Sequence, residues 1–153
     1  MSMYKRILVP MDGSDTAERG LREAIRLASG HDTQLILLYV IDDFPTVRQL
    51  AASEPLDDQI ARRRHAAEQM LGKGVELAEA ADVASRTEVC TAIVDAPGSI
   101  VETAVKAGCG LIVIGTHGRS GVRRAVLGSV AEQVSRHSPM PVMLVPPVIE
   151  ATA

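Results

Sequence analysis

Short runs of aliphatic residues alternate along this chain with segments of helical periodicity, and this alternation constrains the fold more than any other feature. The second run is apolar from Leu35 to Val40, which is typical of a strand covered on both faces. Between the runs, apolar residues recur at helical spacing, as in the stretch from Leu21 to Ala28. The predicted strands are Lys5–Pro10, Thr33–Val40, Ser85–Cys90, Gly110–Ile114 and Pro141–Val145.

Strands that alternate with helices indicate a parallel sheet with helices on both faces. Right-handed crossovers favour the strand order 3-2-1-4-5 over a barrel. In that order the direction of winding reverses between the first and fourth strands, and ligands bind beyond the carboxyl ends of the strands at such a point. We therefore predict a Rossmann-like α/β fold, one domain over residues 1–153, with a site between Asp12 and Gly115.

Composition excludes several functions. The 153 residues carry a formal net charge of −3, whereas a general nucleic-acid binder has a strong basic excess. No Trp, one Phe and two Tyr are too few for a platform on which bases stack. The longest apolar run, Leu35 to Ile41, is too short to cross a membrane, and no signal peptide is evident at the start. We expect a cytoplasmic protein that binds neither nucleic acid nor membranes.

Three helix starts are predicted from the capping-box spacing, in which a capping residue precedes an acid by three positions. The pairs are Asp15 with Glu18, Ser99 with Glu102, and Ser129 with Glu132. The helix that contains Ser99 is predicted to begin at residues 95–98, Asp-Ala-Pro-Gly. A long helix without this signal is predicted from about Leu56 to Ala81. The two cysteines, Cys90 and Cys109, fall at opposite ends of different strands, which predicts that they form no disulfide.

The segment from Gly115 to Ser129 has the composition of a phosphate-binding loop. It runs from a strand into a helix, and glycines let backbone N–H groups approach a ligand closely. The N-terminus of the following helix offers unpaired N–H donors and a partial positive charge. The loop is neither a Walker A sequence nor a GxGxxG sequence, because it has no Gly-Lys-Ser/Thr and its first two glycines are separated by two residues.

The spacing Gly115-x2-Gly118-x9-Gly128-Ser129 resembles the nucleotide-binding motif of the universal stress protein family. The stretches Val9 to Ser14 and His137 to Val142 are also similar to that family. The resemblance implies a fold like that of the adenine nucleotide alpha hydrolases and membership of an ATP-binding subclass. It also implies homodimers formed through the last strand, at Val142, Met143, Leu144 and Val145.

The resemblance further implies a nucleotide-binding role for individual positions. Asp12 would contact the ribose, while Pro10, Met11 and Val40 would line the adenine pocket. The phosphates would be held by Gly115, His117, Gly118, Arg119, Gly128, Ser129 and Val130. Ala131 stands where some members of the family carry a further hydroxyl, so one phosphate contact is expected to be missing.

Each of these residues also has a structural interpretation. The glycines and Asp12 are common in ordinary turns, and a lone histidine such as His117 in a polar loop is more often solvated. Arg123 and Arg124 fit a solvated face as well as a phosphate site. Asp42 and Asp43 could ligate a metal, although adjacent acids are more often part of a loop.

Two functions remain open. The first is a dimeric, ATP-binding regulator of the stress response, supported by a phosphate loop without a recognisable set of catalytic residues. The alternative is a slow ATPase or a phosphoryl- or nucleotidyl-transfer enzyme, with Asp12 or His117 as the acid–base group and Mg²⁺ on the phosphates. AMP and cyclic AMP stay open as ligands beside ATP. A phosphoreceiver domain is excluded because no lysine follows the fifth strand.

Overall fold

The computed structural model describes residues 2–42, 55–92, 94–117 and 127–148. Strands and helices alternate in it as predicted. The elements in chain order are β1 (Arg6–Pro10), α1 (Asp15–Ala28), β2 (Gln34–Ile41), α2 (Leu56–Ala80), β3 (Ala84–Thr91), α3 (Ala96–Lys106), β4 (Leu111–Gly115), α4 (Ser129–His137) and β5 (Val142–Val145).

The sheet has the predicted order, β3-β2-β1-β4-β5, and every neighbouring pair is parallel. In the register, Val9 of β1 pairs with Leu37 of β2, and Ile7 of β1 pairs with Leu111 of β4. The chain therefore winds outward from β1 in one direction and from β4 in the other. The prediction of a switch point between these two strands is confirmed.

Successive residues of the central strands point to opposite faces of the sheet, and each face has its own apolar layer. Ile7 and Val9 pack with α1 and α2, whereas Leu8 between them packs with α3 and α4. All three side chains are at most 1% exposed. Burying a side chain of this size contributes about 1.5–3 kcal/mol each, so the uninterrupted apolar strands of the sequence follow from coverage on both sides.

The capping boxes predicted for α1 and α3 are wrong. Ser14, not Asp15, is the N-cap of α1, and its side chain accepts a hydrogen bond from the backbone N–H of Ala17 at 3.1 Å. Asp95, not Ser99, is the N-cap of α3 and accepts from Gly98 at 2.7 Å. In both cases the extended residue just before the first helical turn makes the cap, because its side chain can reach back to the free N–H groups.

The third predicted cap, Ser129, is the first residue of α4 rather than its cap. Gly128 holds the N-cap position and has no side chain that could accept a hydrogen bond. The other predictions for the helices agree with the structure. Gly30 follows the end of α1 with a φ of +77°, a left-handed conformation that favours glycine.

The two cysteines are both free, as predicted. Burial raises the pKa of the Cys90 thiol and also that of Cys109. In the part of the chain that the structure describes, no helix combines the length and apolar character that a membrane crossing requires.

Candidate functional site

A cavity of about 340 Å³ opens beyond the carboxyl ends of β1 and β4, at the switch point. Residues that follow β1 form one wall, and residues that follow β4 form another. The first turns of α1, α3 and α4 and the end of β2 complete it. The lining residues are Pro10, Met11, Asp12, Ser14, Ala17, Leu38, Tyr39, Val40, Asp42, Ala96, Ile100, Ile114, Gly115, Thr116, His117, Gly128, Ser129, Val130 and Ala131.

The wall that follows β1 is held in place by backbone hydrogen bonds. Met11 is buried, and its N–H donates to the carbonyl of Leu38 at 2.7 Å. Asp12 Oδ1 accepts from the N–H of Ser14 at 2.9 Å, which closes a tight turn around Gly13 with its φ of +83°. The Asp12 carboxylate is thus fixed at the cavity edge by the same turn that begins α1.

The wall that follows β4 begins with a glycine that packing requires. A Cβ atom on Gly115 would lie 2.8 Å from Cγ2 of Thr16 and 3.0 Å from the Thr16 carbonyl oxygen. The first turn of α1 therefore presses directly on the backbone of β4. The lack of a side chain at Gly115 follows from this contact within the protein.

Gly128 is required for a similar reason. Its N–H donates to the carbonyl oxygen of Thr116 at 2.7 Å, and a Cβ atom there would lie 2.6 Å from that oxygen. This hydrogen bond joins the two ends of the glycine-rich loop. Because the backbone of Gly128 is not in the left-handed region, space rather than conformation demands the glycine.

Three helix N-termini line the cavity, and they differ in how their free N–H groups are satisfied. Ser14 caps α1 and Asp95 caps α3 through their side chains. Among the described residues no side chain caps α4, whose first residues Ser129 and Val130 line the cavity. An uncapped helix start combines unpaired N–H donors with a partial positive charge. The N-terminal end of α4 is therefore suited to an anion.

Part of the cavity lining is apolar. Val40, Ile100 and Ile114 line it and pack with the α3 and α4 layer. The aromatic residue Tyr39 is also part of the lining, but it packs against the other apolar layer. One ligand could thus place an apolar group near Val40 and an anionic group near α4.

All but two of the residues predicted to bind nucleotide line this one cavity. The exceptions, Gly118 and Arg119, lie outside the described residues, as do Arg123, Arg124 and Asp43. Asp42 lies at the cavity. Among the described residues, no three His, Cys, Asp or Glu side chains come together as a metal site would require.

Sequence reasoning missed several lining residues, including Ser14, Ala96, Ile100 and Thr116. Two of these had a usable signal. The helix start predicted at residues 95–98 already contained Ala96, and Pro97 in the first turn agrees with that start, but Ala96 was not assigned to the site. Thr116 stands between two predicted site residues. Ile100 had no such signal, because its role depends on how α3 packs on the sheet.

The fold and the site define an α/β protein with a cavity at its switch point and, at that cavity, a helix start whose N-cap residue has no side chain. A family model described as the universal stress protein family matches residues 3–146. Universal stress protein MJ0531 of Methanocaldococcus jannaschii is 34% identical over 145 residues, which are 94% of this chain and 83% of the relative. The chain belongs to the universal stress protein family.

Solved structures agree with this assignment. The hypothetical protein MJ0577 superposes with a TM-score of 0.83 at 28% identity, covering 97% of this chain and 99% of that one. Two structures share the fold at TM-scores of 0.65. One is a universal stress protein in complex with cAMP, 24% identical over 93% of this chain and 96% of its own. The other is the Archaeoglobus fulgidus protein in complex with dAMP, 23% identical, covering 95% and 99%.

Proposed function

We propose that this protein binds ATP in the cavity at the switch point and acts in the cytoplasm as a dimeric regulator of the stress response. The observation that supports the proposal most strongly is the uncapped N-terminus of α4 beside an apolar pocket. The other two helices that start at the cavity are capped by their own side chains. Within the part of the chain that the structure describes, the start of α4 is thus the one helix end at the cavity without a side-chain cap, and a ligand can satisfy its N–H groups.

In this proposal, the phosphates bind at the start of α4. Backbone N–H groups of Ser129 and Val130 and the Ser129 hydroxyl donate to phosphate oxygens, which are strong acceptors. His117 and the loop residues Gly118 and Arg119 complete the phosphate site from the β4 side. The negative charge of the ligand is offset by the partial positive charge of the helix end.

The nucleoside occupies the rest of the cavity. Asp12, fixed by its hydrogen bond to Ser14, accepts from a ribose hydroxyl. Pro10, Met11 and Val40 contact the adenine ring, which lies among aliphatic groups and backbone. Two universal stress proteins of this fold, solved in complex with cAMP and dAMP, add support for an adenine nucleotide.

A nucleotide titration followed by thermal unfolding tests the proposal. ATP in thousandfold excess over its dissociation constant stabilises the folded state by about 4.1 kcal/mol. For a chain of this size that corresponds to a rise in Tm of about 8–16 °C. Adenosine, AMP, cAMP and GTP, titrated in parallel, report which parts of the ligand contribute. No shift with any adenine nucleotide contradicts the proposal.

The Asp12→Ala variant separates the contribution of the ribose contact to nucleotide affinity from that of the phosphate contacts. We expect it to weaken ATP and adenosine binding by a similar factor, because both carry the ribose. Asp12→Asn keeps an oxygen that can accept from Ser14 and is the matched control for the turn. Steady release of ADP by the wild type that is lost in Asp12→Ala would favour the enzymatic alternative.

The dimer in this proposal forms through β5. That strand is an edge of the sheet, and Met143 and Leu144 are each 37% exposed. An apolar edge strand invites pairing with another chain. Leu144→Lys should give a monomer in sedimentation experiments. Val105→Lys, which changes an exposed apolar residue of α3, is the matched control and should leave the dimer intact. A wild-type monomer at high concentration contradicts this part of the proposal.

A further inference from the structure

Ile100 is a large apolar residue that α3 contributes to the cavity. It follows Ala96 by one helical turn, and both residues line the cavity, so one face of the start of α3 is turned towards the ligand site. The residue is only 3% exposed, and it packs in the apolar layer that α3 and α4 share. The surface that Ile100 presents to a ligand is therefore fixed by the packing around it.

The place of α3 on the sheet puts Ile100 beside the end of β2. Helix α3 packs against β2 and β1, whereas α4 packs against β5, which lies beyond β4. Both helices cover the same face of the sheet. Val40, near the end of β2, lines the cavity and packs against the same apolar layer as Ile100. A ligand that extends from the start of α4 towards Val40 is therefore expected to meet Ile100.

The start of α3 is unsuited to phosphate, and this favours an uncharged part of the ligand there. The Asp95 side chain accepts from the N–H of Gly98 at 2.7 Å and caps the helix. Its carboxylate also adds a negative charge, which repels phosphate. The side chains of Ala96 and Ile100 are hydrocarbon and offer only apolar surface. The flat ring of a base gains free energy when it leaves water for such a surface.

We propose that Ile100 is a specificity-determining residue of the nucleotide site: its side chain contacts the base and selects a purine over a pyrimidine. The inference rests on the proposed function, because the phosphates at α4 and the ribose at Asp12 set how far the base extends. A purine has two fused rings and reaches further from the ribose than the single ring of a pyrimidine does. A pyrimidine held at the same ribose leaves a gap at Ile100, and the atoms that line a gap lose their contacts.

Calorimetric titrations with ATP, CTP and tripolyphosphate test this role. Wild-type protein should bind ATP at least about tenfold more tightly than CTP. Ile100→Ala should weaken ATP binding by about tenfold and CTP binding by less than about twofold, so that most of the preference is lost. Ile100→Val removes one methylene group and should weaken ATP binding by about threefold. Tripolyphosphate, which carries no base, should bind to all three proteins with equal affinity.

Val134→Ala is the matched control. Among the described residues of the shared apolar layer, Val134 is fully buried and does not line the cavity. Both alanine variants remove apolar groups from this layer, so both should lower the Tm. Val134→Ala should keep the wild-type ratio of ATP to CTP affinity, because the residue does not contact the ligand. Loss of the ratio in both variants would make disturbed packing the cause and would overturn the proposal.

The remaining outcomes separate this inference from the proposed function. Equal affinities of the wild type for ATP and CTP, or a wild-type ratio in Ile100→Ala, overturn the inference. An equal loss of tripolyphosphate affinity in Ile100→Ala assigns the residue a structural role and overturns it too. If the wild type binds ATP no more tightly than adenosine, the proposed phosphate site fails. Adenosine and cytidine then decide the inference: a preference for adenosine that Ile100→Ala removes supports it, and no such preference overturns it.

Discussion

Helices α3 and α4 both begin at the cavity, but their first turns differ in whether a side chain caps the free N–H groups. Each carries a serine followed three residues later by a glutamate, so the sequence predicts the same capping box for both. In the structure neither serine is the cap. Asp95 satisfies the start of α3 with its own carboxylate, whereas Gly128 leaves the start of α4 without a side-chain cap. The N–H groups at the start of α3 are satisfied by a side chain of the protein, whereas the start of α4 has no side-chain cap at Gly128 and is suited to an anion.

The contrast has a physical cause in the packing of the loop. The Thr116 carbonyl approaches Gly128 so closely that any Cβ atom there would lie 2.6 Å from its oxygen. Every residue with a capping side chain also has a Cβ atom. The contact that joins the two ends of the loop therefore also excludes a cap from α4. We infer that the open helix end is a consequence of how the loop closes.

The largest effect is expected from Gly128→Ala. The added Cβ forces the Thr116 carbonyl away and breaks the hydrogen bond between the loop ends. Overpacking of this kind costs about 1–3 kcal/mol of stability, and it displaces the start of α4. Calorimetry should show at least a tenfold loss of ATP affinity, because a small displacement of binding groups weakens several contacts at once.

The matched control for this substitution is Gly72→Ala. Gly72 lies inside α2, and a Cβ atom there has nothing within 4 Å. Alanine should stabilise that helix by up to about 1 kcal/mol and leave ATP binding unchanged. If Gly128→Ala binds ATP with wild-type affinity, the loop closure does not build the site and the contrast between the two helices loses its explanation.

Ser129→Asp tests the uncapped start of α4 by adding a negative charge to its first residue. A carboxylate in the first turn favours the helix itself by about 0.3–1 kcal/mol but competes with phosphate for the same N–H groups. We expect ATP affinity to fall about three- to tenfold, while thermal stability without nucleotide is unchanged or slightly higher. Ser129→Asn, which is similar in size and uncharged, should lose less affinity. Equal losses in the two variants would show that charge is not the cause.

Asp95→Ala tests the start of α3, which the Asp95 side chain caps. Loss of the cap should lower the free energy of unfolding by about 1 kcal/mol. The Tm should then fall by about 2–4 °C, with ATP affinity within twofold of the wild type. Asp95→Asn keeps an oxygen that can accept from Gly98 and should recover most of the stability. A strong loss of ATP affinity in Asp95→Ala would mean that the start of α3 takes part in binding phosphate. The proposed difference in function between the starts of α3 and α4 would then be wrong.

Glu132→Gln gives the smallest expected effect. Glu132 lies in the first turn of α4 and forms an exposed ion pair with Arg136 at 2.7 Å. Removing its charge should cost about 0.3–0.5 kcal/mol of stability. It should also raise ATP affinity by less than about twofold, since the helix end becomes slightly more positive. Calorimetry at low ionic strength, where such effects are least screened, is the appropriate measurement.

The comparison also shows which features the sequence could predict. Strand order and the two apolar layers follow from patterns that each strand carries in itself, such as the run from Leu35 to Val40. The residues that meet at the switch point follow from that order, because parallel strands end at the same edge. Asp12 and Gly115 were therefore placed correctly at the cavity.

The local details depend on contacts between distant parts of the chain, which the pattern does not contain. Gly115 was attributed to ligand approach, yet Thr16 of α1 already occupies the space of its side chain. The start of α3 at residues 95–98 was predicted correctly, but the capping box was placed at Ser99, because spacing alone cannot say which residue is extended before the first turn. Thr116 drew no attention because its importance comes from its partners, Val145, Gly128 and His117.

The central claim, that the open start of α4 binds the phosphates of a nucleotide, is tested most directly by one calorimetric comparison. ATP and adenosine are titrated into the wild-type protein under identical conditions. We expect ATP to bind at one site per chain and at least about tenfold more tightly than adenosine, because charge-assisted hydrogen bonds to phosphate are stronger than neutral ones. Equal affinities, or no binding of ATP, would contradict the account.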